Sequence, residues 1–74
     1  MEKTILYPNR EYHATIRVDQ ARFNFPIRVQ EITTLRIGDS ITYKNMTYTL
    51  KQNSKYSEYA IFTCNNMQVY LRMN

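Results

Sequence analysis

The sequence predicts an all-β fold made mainly of antiparallel hairpins, arranged as a small rolled sheet or as an SH3-like or OB-like barrel. Several short stretches alternate between apolar and polar residues, which is the period of a half-buried strand. Turn-forming residues separate these stretches at hairpin spacing. The chain has 74 residues, so residues 1–74 are expected to form a single small β-rich domain, and its roughly six or seven short strands imply a curled sheet.

The N-terminal part contains a short β-prone piece, a turn and a long strand. Thr4–Tyr7 is the short piece, and Pro8-Asn9 suits the centre of a type I turn because proline fixes the first dihedral angle. Tyr12–Val18 is the long strand. The residues expected on its core face are Tyr12, Ala14, Ile16 and Val18.

A second strand, Phe23–Val29, is expected to pair with the first across a four-residue loop, Asp19–Arg22. This register places Val18 opposite Phe23. Pro26 has no N–H group, so the strand is expected to have an unpaired side or a bulge at that point. The core face would carry Phe23, Phe25, Ile27 and Val29, and the outer face would pair His13 with Arg28, Thr15 with Pro26 and Arg17 with Asn24.

Residues 30–38 are predicted to be a connector. Ile32, Leu35 and Arg36 could share one side of a single helical turn. Thr33 and Thr34 favour extended backbone instead, because their branched side chains are stiff. The alternatives are therefore an extended connector and one short helical turn between residues 30 and 38.

Gly38-Asp39 opens the next hairpin, and Asn45-Met46 is predicted as its turn. The expected cross-strand pairs are Tyr43 with Tyr48, Ile41 with Leu50, Thr42 with Thr49 and Lys44 with Thr47, which match both faces across the turn. The opening of this tyrosine-rich hairpin is similar to hairpins of SH3-like barrels and of phage connector proteins. The polar residues 53–57 are predicted to be a loop.

Tyr59–Arg72 is predicted to be a hairpin with two unlike faces around an Asn65-Asn66 turn. The apolar face pairs Cys64 with Met67, Phe62 with Val69 and Ala60 with Leu71. The other face pairs Thr63 with Gln68, Ile61 with Tyr70 and Tyr59 with Arg72. This second face mixes aromatic, aliphatic and cationic groups, which a purely solvated face would not need, and it therefore indicates contact with a partner.

The sequence offers no constellation for catalysis, a metal or a cofactor. Cys64 is the only cysteine, His13 is the only histidine, and no two acidic residues pair at short spacing. Metal sites need clusters of such ligands, and no glycine-rich phosphate loop is present. We therefore expect a protein that is not an enzyme and has no catalytic, cofactor-binding or metal-binding residues.

The expected address is the cytoplasm, or the host cytoplasm if the protein is viral, without a membrane partner. A single cysteine favours a reducing compartment, and the N-terminal residues contain no long apolar run. Gly38 is the only glycine, while tyrosine, threonine, isoleucine and asparagine are frequent. Such a composition would suit an AT-rich genome, including those of many phages.

Two surfaces are candidates for binding a partner. The first is a basic patch on the outer face of the first long hairpin, where arginine's forked donors suit phosphate or carboxylate. The second lies on the last hairpin, because tyrosine and arginine are enriched in interface hot spots. The alternative interpretations are an ordinary solvated face for the first and a covered sheet layer for the second. The partner-binding residues are Arg17, Arg22 and Arg28 on the first and Tyr59, Ile61, Tyr70 and Arg72 on the second.

The leading functional hypothesis is a small non-enzymatic binding protein, a phage or mobile-element inhibitor or adaptor that docks on a protein. The formal net charge of +4 permits, but does not require, an acidic partner. One alternative is a single-stranded nucleic-acid-binding small barrel, which joins cationic and aromatic side chains. The other is a structural subunit that self-assembles into a homo-oligomer, because chains of this size often need added support.

Overall fold

The structure, a computed structural model, describes residues 3–54 and 58–73 and is all-β. The described residues contain strands, turns and loops but no helix. The eight strands are β1 (Thr4–Leu6), β2 (Tyr12–Val18), β3 (Ala21–Ile27), β4 (Thr33–Leu35), β5 (Ser40–Tyr43), β6 (Met46–Gln52), β7 (Tyr59–Cys64) and β8 (Met67–Arg72). The predicted fold class is therefore confirmed.

Six of the strands form one antiparallel sheet in the order β3-β2-β8-β7-β6-β5, and β1 pairs with β4 in a separate two-stranded sheet. Ile27 on edge strand β3 and Ile41 on edge strand β5 line the same small interior space, so the large sheet is curled. Among the described strands, these two edges do not pair with each other. The architecture is thus the rolled sheet of the prediction, with an open seam where a closed barrel would have a continuous ladder.

The hydrophobic core lies on the inner face of the curled sheet. Leu6 of β1 and Leu35 of β4 belong to the same buried cluster, so the small sheet packs against the large one. Burying one such side chain contributes roughly 1.5–3 kcal/mol. The other buried members are Tyr12, Ala14, Ile27, Tyr48, Leu50, Ala60, Phe62, Cys64, Val69 and Leu71.

The last hairpin, β7–β8, has the predicted register throughout. All six cross-strand pairs match, from Cys64 opposite Met67 to Tyr59 opposite Arg72. The turn residues Asn65 and Asn66 have φ angles of 50° and 66°. A two-residue hairpin turn of this type needs left-handed backbone at both positions, and asparagine tolerates that conformation better than most residues do.

The predicted register of the first hairpin, β2–β3, is wrong by two residues. The turn is Asp19-Gln20 rather than a four-residue loop, so Val18 lies opposite Ala21 and not opposite Phe23. The shorter turn brings Ala21 and Arg22 into the ladder, which satisfies more backbone donors and acceptors. Because the shift is an even number of residues, every side chain stays on its predicted face.

The expectation that the apolar residues of β3 fill the core is only partly correct. Ile27 is buried, but Phe23 is 57% exposed, because the free end of this hairpin extends beyond the buried cluster. Val29 is half-buried and follows the strand. Pro26 behaves as predicted: β3 is an edge strand, and the proline lies at a position where the ladder alternation directs its nitrogen away from β2.

The predicted register of the hairpin β5–β6 is also wrong by two residues. Its turn is Lys44-Asn45, with φ angles of 50° and 67°, and Tyr43 lies opposite Met46. Both the predicted and the observed turn place one asparagine and one ordinary residue in left-handed backbone, so the cost of about 1–2 kcal/mol for the ordinary residue does not distinguish them. The shift is again an even number of residues, so the faces are unchanged.

Residues 30–38 contain a short strand and a turn, and no helix. Thr33–Leu35 forms β4, in agreement with the preference of the two threonines for extended backbone. The Asp39 side chain accepts a hydrogen bond from the Arg36 backbone N–H at 2.9 Å, and Gly38 has a φ of 98° that favours glycine. Of the predicted loop 53–57, residues 55–57 lie outside the described residues.

The corrected β5–β6 turn makes Asn45 a sensitive position. Replacing Asn45 with alanine forces alanine into left-handed backbone, so the free energy of unfolding should fall by about 1 kcal/mol. The matched variant Asn45→Gly should lose little or no stability. Urea denaturation of both variants measures this difference, and equal stability of Asn45→Ala and the unaltered protein would place the turn elsewhere.

Burial raises the pKa of the Tyr48 phenol, and Cys64 and Tyr43 raise it further. The stability linked to this neutral phenol is present below its unfolded pKa of about 10 and is lost as the pH rises through the folded pKa. The unaltered protein should therefore lose more stability than Tyr48→Phe between about pH 9 and pH 11. Denaturation curves at several pH values test this, and parallel profiles would contradict it.

Candidate binding surface

The side of the large sheet that faces away from the core, here called the outer face, unites the two predicted binding surfaces. Strand β2 pairs directly with β8, so that Thr15 lies opposite Tyr70 and His13 lies opposite Arg72. The basic side of the first hairpin therefore continues into the tyrosine-containing side of the last one. On strands β3, β2, β8 and β7 the outer face carries Arg22, Asn24, Pro26, His13, Thr15, Arg17, Gln68, Tyr70, Arg72, Tyr59, Ile61 and Thr63.

The strands that form this face contain no acidic residue. None of the eight strands includes aspartate or glutamate, and every acidic residue in the described ranges lies in a loop or turn. The strands do carry arginines at positions 17, 22 and 72, all on the outer face. The strands of this face therefore contribute positive charge and no carboxylates, which favours an anionic partner.

Two of the seven predicted binding residues are arginines with acidic neighbours. Arg72 Nη2 lies 3.6 Å from Glu58 Oε2, and Arg28 Nη2 lies 3.9 Å from Glu11 Oε2. All four side chains are largely exposed, so each ion pair contributes little to stability and can open at low cost. Arg28 follows the end of β3 and lies at the margin of the outer face.

Arg17 and Arg22 lie directly opposite each other and, among the described residues, have no ion-pair partner. The two-residue turn closes on the hydrogen-bonded pair Val18–Ala21, so the next pair along the ladder is a non-hydrogen-bonded one. Residues in such a pair have Cα atoms about 4.5 Å apart and closely spaced side chains. Like charges in this position destabilise a sheet.

The tyrosines form a fixed aromatic cluster beside the arginines. The rings of Tyr59 and Tyr70 make an edge-to-face contact with centroids 6.3 Å apart and an interplanar angle of 88°. The Tyr70 hydroxyl donates a hydrogen bond to Gln68 Oε1 at 2.9 Å. Ile61 lies opposite Tyr70 and is half-buried. Aromatic pairs of this geometry contribute roughly 0.5–1.5 kcal/mol, so the cluster is held in place before any partner binds.

The structure brings six of the seven predicted binding residues onto one face and leaves Arg28 at its edge. The predicted outer-face pairs of the first hairpin are wrong, because the shifted register places His13 opposite Pro26 and Thr15 opposite Asn24. Thr15 Oγ1 donates to Asn24 Oδ1 at 2.9 Å. Gln68, which accepts a hydrogen bond from Tyr70, was not predicted as a site residue. The sequence did contain a signal for it, because residues 68 and 70 lie on the same face of one strand.

The described part of the chain contains no cluster of side chains that could hold a metal ion. Within it, no three side chains of histidine, cysteine, aspartate or glutamate come together. Cys64 is buried as a free thiol. No helix in these residue ranges has the length and apolar character needed to cross a bilayer.

Comparison with known proteins finds no matching protein family, no matching characterised protein and no matching solved structure.

The like-charge pair Arg17–Arg22 is expected to lower the free energy of unfolding. Arg22→Glu replaces a like-charge pair with an opposite-charge pair and should raise the free energy of unfolding by about 0.2–1 kcal/mol. The gain should shrink in high salt, because both side chains are exposed. The control Arg28→Glu makes the same charge change next to Glu11 and should give no gain. Denaturation at low and high salt measures both, and a loss of stability in Arg22→Glu would refute the like-charge interpretation.

Proposed function

We propose that this chain is a non-enzymatic binding protein, an inhibitor or adaptor, whose outer face docks on an acidic surface of a protein partner. The observation that carries the proposal is the continuity of Arg17, Arg22 and Arg72 with the tyrosine cluster on strands without carboxylates. Such a face combines charge complementarity, which steers association, with aromatic anchors, which supply affinity.

The arrangement of the tyrosines favours a protein surface over stacked bases. In the edge-to-face contact of Tyr59 with Tyr70, the edge of one ring covers the face of the other. Base stacking needs open ring faces, whereas a protein hot spot needs rigid contact area with a polar handle. Ile61, which lies opposite Tyr70 and two residues from Tyr59 on the same face of β7, adds apolar area that suits contact with a protein surface.

A single-stranded nucleic acid is the second candidate, and one feature favours it. A row of hydrogen-bonding side chains crosses the outer face, because Thr63 lies opposite both Gln68 and Thr49, and Thr49 lies opposite Ser40. Arg17 and Arg22 continue this row at the other side of the sheet. Arginine, threonine, serine and glutamine all serve as contacts to phosphate oxygens.

The test compares two double variants with the same formal net charge. Arg17→Glu with Arg72→Glu reverses charge on the outer face. Lys3→Glu with Lys44→Glu makes the same change on exposed residues outside it. The partner captured from native-host lysate by the unaltered chain should bind the control variant normally. It should bind the outer-face variant about tenfold more weakly or worse, since two charge-assisted contacts become repulsive.

The same proteins are then tested against labelled single-stranded DNA and RNA at two salt concentrations. We expect no binding of single-stranded DNA or RNA at low salt. Strong binding that weakens steeply as salt rises would favour the nucleic-acid candidate. Undiminished partner capture by the outer-face variant, with an unchanged circular dichroism spectrum, would refute docking through this face.

A further inference from the structure

We infer that a depression beside Arg17, at the junction of β2 with β8, is a binding site for a single carboxylate group. The occupant is an aspartate or glutamate side chain of the acidic partner, so this inference rests on the proposed function. The depression has a volume of about 360 Å³ and is lined by Arg17, Val18, Asn66, Met67, Gln68 and Tyr70.

The polar groups of the depression are suited to donate hydrogen bonds. Arg17 contributes a guanidinium, which has donors only. The Tyr70 hydroxyl already donates to Gln68 Oε1, so the carboxamide of Gln68 is held with its NH₂ group as the remaining free end. Asn66, in the turn of the last hairpin, adds a second carboxamide. None of the lining residues is acidic, so nothing in the depression competes for these donors.

The surroundings increase the attraction for an anion. Val18 and Met67 give the depression an apolar side, and charge-assisted hydrogen bonds strengthen where water is partly displaced. Arg22 lies directly opposite Arg17 and has no ion-pair partner among the described residues. A bound carboxylate would therefore also relieve the repulsion between the two guanidinium groups.

A larger cleft at the open seam is a weaker candidate for the same chemistry. It has a volume of about 540 Å³ and lies between the segment after β3 and strand β5. Glu31 lines it, and its Arg28 is already paired with Glu11. Its charges are thus mixed and partly neutralised, whereas those beside Arg17 are not.

The experiment is a titration of the full chain with sodium acetate, and separately with sodium phosphate, followed by ¹H–¹⁵N NMR at constant ionic strength. Acetate should cause saturable shifts that are largest for the Gln68 side-chain NH₂ and the Arg17 and Asn66 amides. Arg17→Gln should weaken acetate binding about tenfold, as expected for the loss of one charge-assisted hydrogen bond. Arg36→Gln, with the same charge change at an exposed position that lines neither depression, should leave it unaltered.

A second variant separates positioning from charge. Tyr70→Phe removes the hydroxyl that holds Gln68 but keeps the ring and the net charge. It should weaken acetate binding several-fold and reduce the acetate-induced shift of the Gln68 side-chain NH₂. Unchanged acetate binding in both Arg17→Gln and Tyr70→Phe would overturn the site, and so would binding of phosphate without acetate.

The outcomes also separate this inference from the proposed function. If acetate binds elsewhere while the outer-face double variant still loses its partner, the carboxylate site is wrong and the docking face stands. If acetate binds beside Arg17 while partner capture is unaffected by the double variant, the anion site stands and the docking proposal is wrong.

Discussion

The pairing of β2 with β8 is the constraint on which the rest of the structure depends. It joins the first hairpin to the last, and without it the large sheet would separate into a two-stranded ribbon and a four-stranded remainder. A lone two-stranded hairpin is marginally stable in water. The pairing spans most of the chain, since it aligns residues 13–16 with residues 69–72. The entropic cost of closing this long loop is therefore offset only when the complete sheet forms.

The same pairing also decides what the surface can do. On the inner side it places Ala14 opposite Leu71 within the buried cluster. On the outer side it places a basic hairpin next to a tyrosine-containing one. Because side chains alternate strictly across a strand, the core contact and the composition of the outer face are fixed by one register. A slip of a single residue would bury arginines and expose the core.

The sequence pattern predicted the faces of all three hairpins but only one of their registers. Alternation assigns a side chain to a face, and an error of two residues leaves that assignment intact, as in β2–β3 and β5–β6. Register depends instead on turn chemistry. It was predicted correctly at Asn65-Asn66, where both residues tolerate left-handed backbone, and incorrectly where a lysine occupies such a position at Lys44.

The long-range pairings had no local signature, so neither β1 with β4 nor β2 with β8 could be predicted. The individual candidate residues could be predicted because arginine and tyrosine lie on strand faces that do not form the core, where a solvated face does not require them. These residues form one surface only because β2 pairs with β8. The exposure of Phe23 was likewise unpredictable, because it depends on how far the core extends beneath the hairpin.

The most direct test of this account is a nuclear Overhauser measurement between the Hα protons of Ala14 and Leu71. The ladder alternation makes this a non-hydrogen-bonded pair of β2 and β8, in which the two Hα protons face each other at short distance. A strong cross-peak is the predicted result. Its absence, with the corresponding β7–β8 cross-peaks present, would show that the two hairpins do not share a sheet and that the single outer face does not exist.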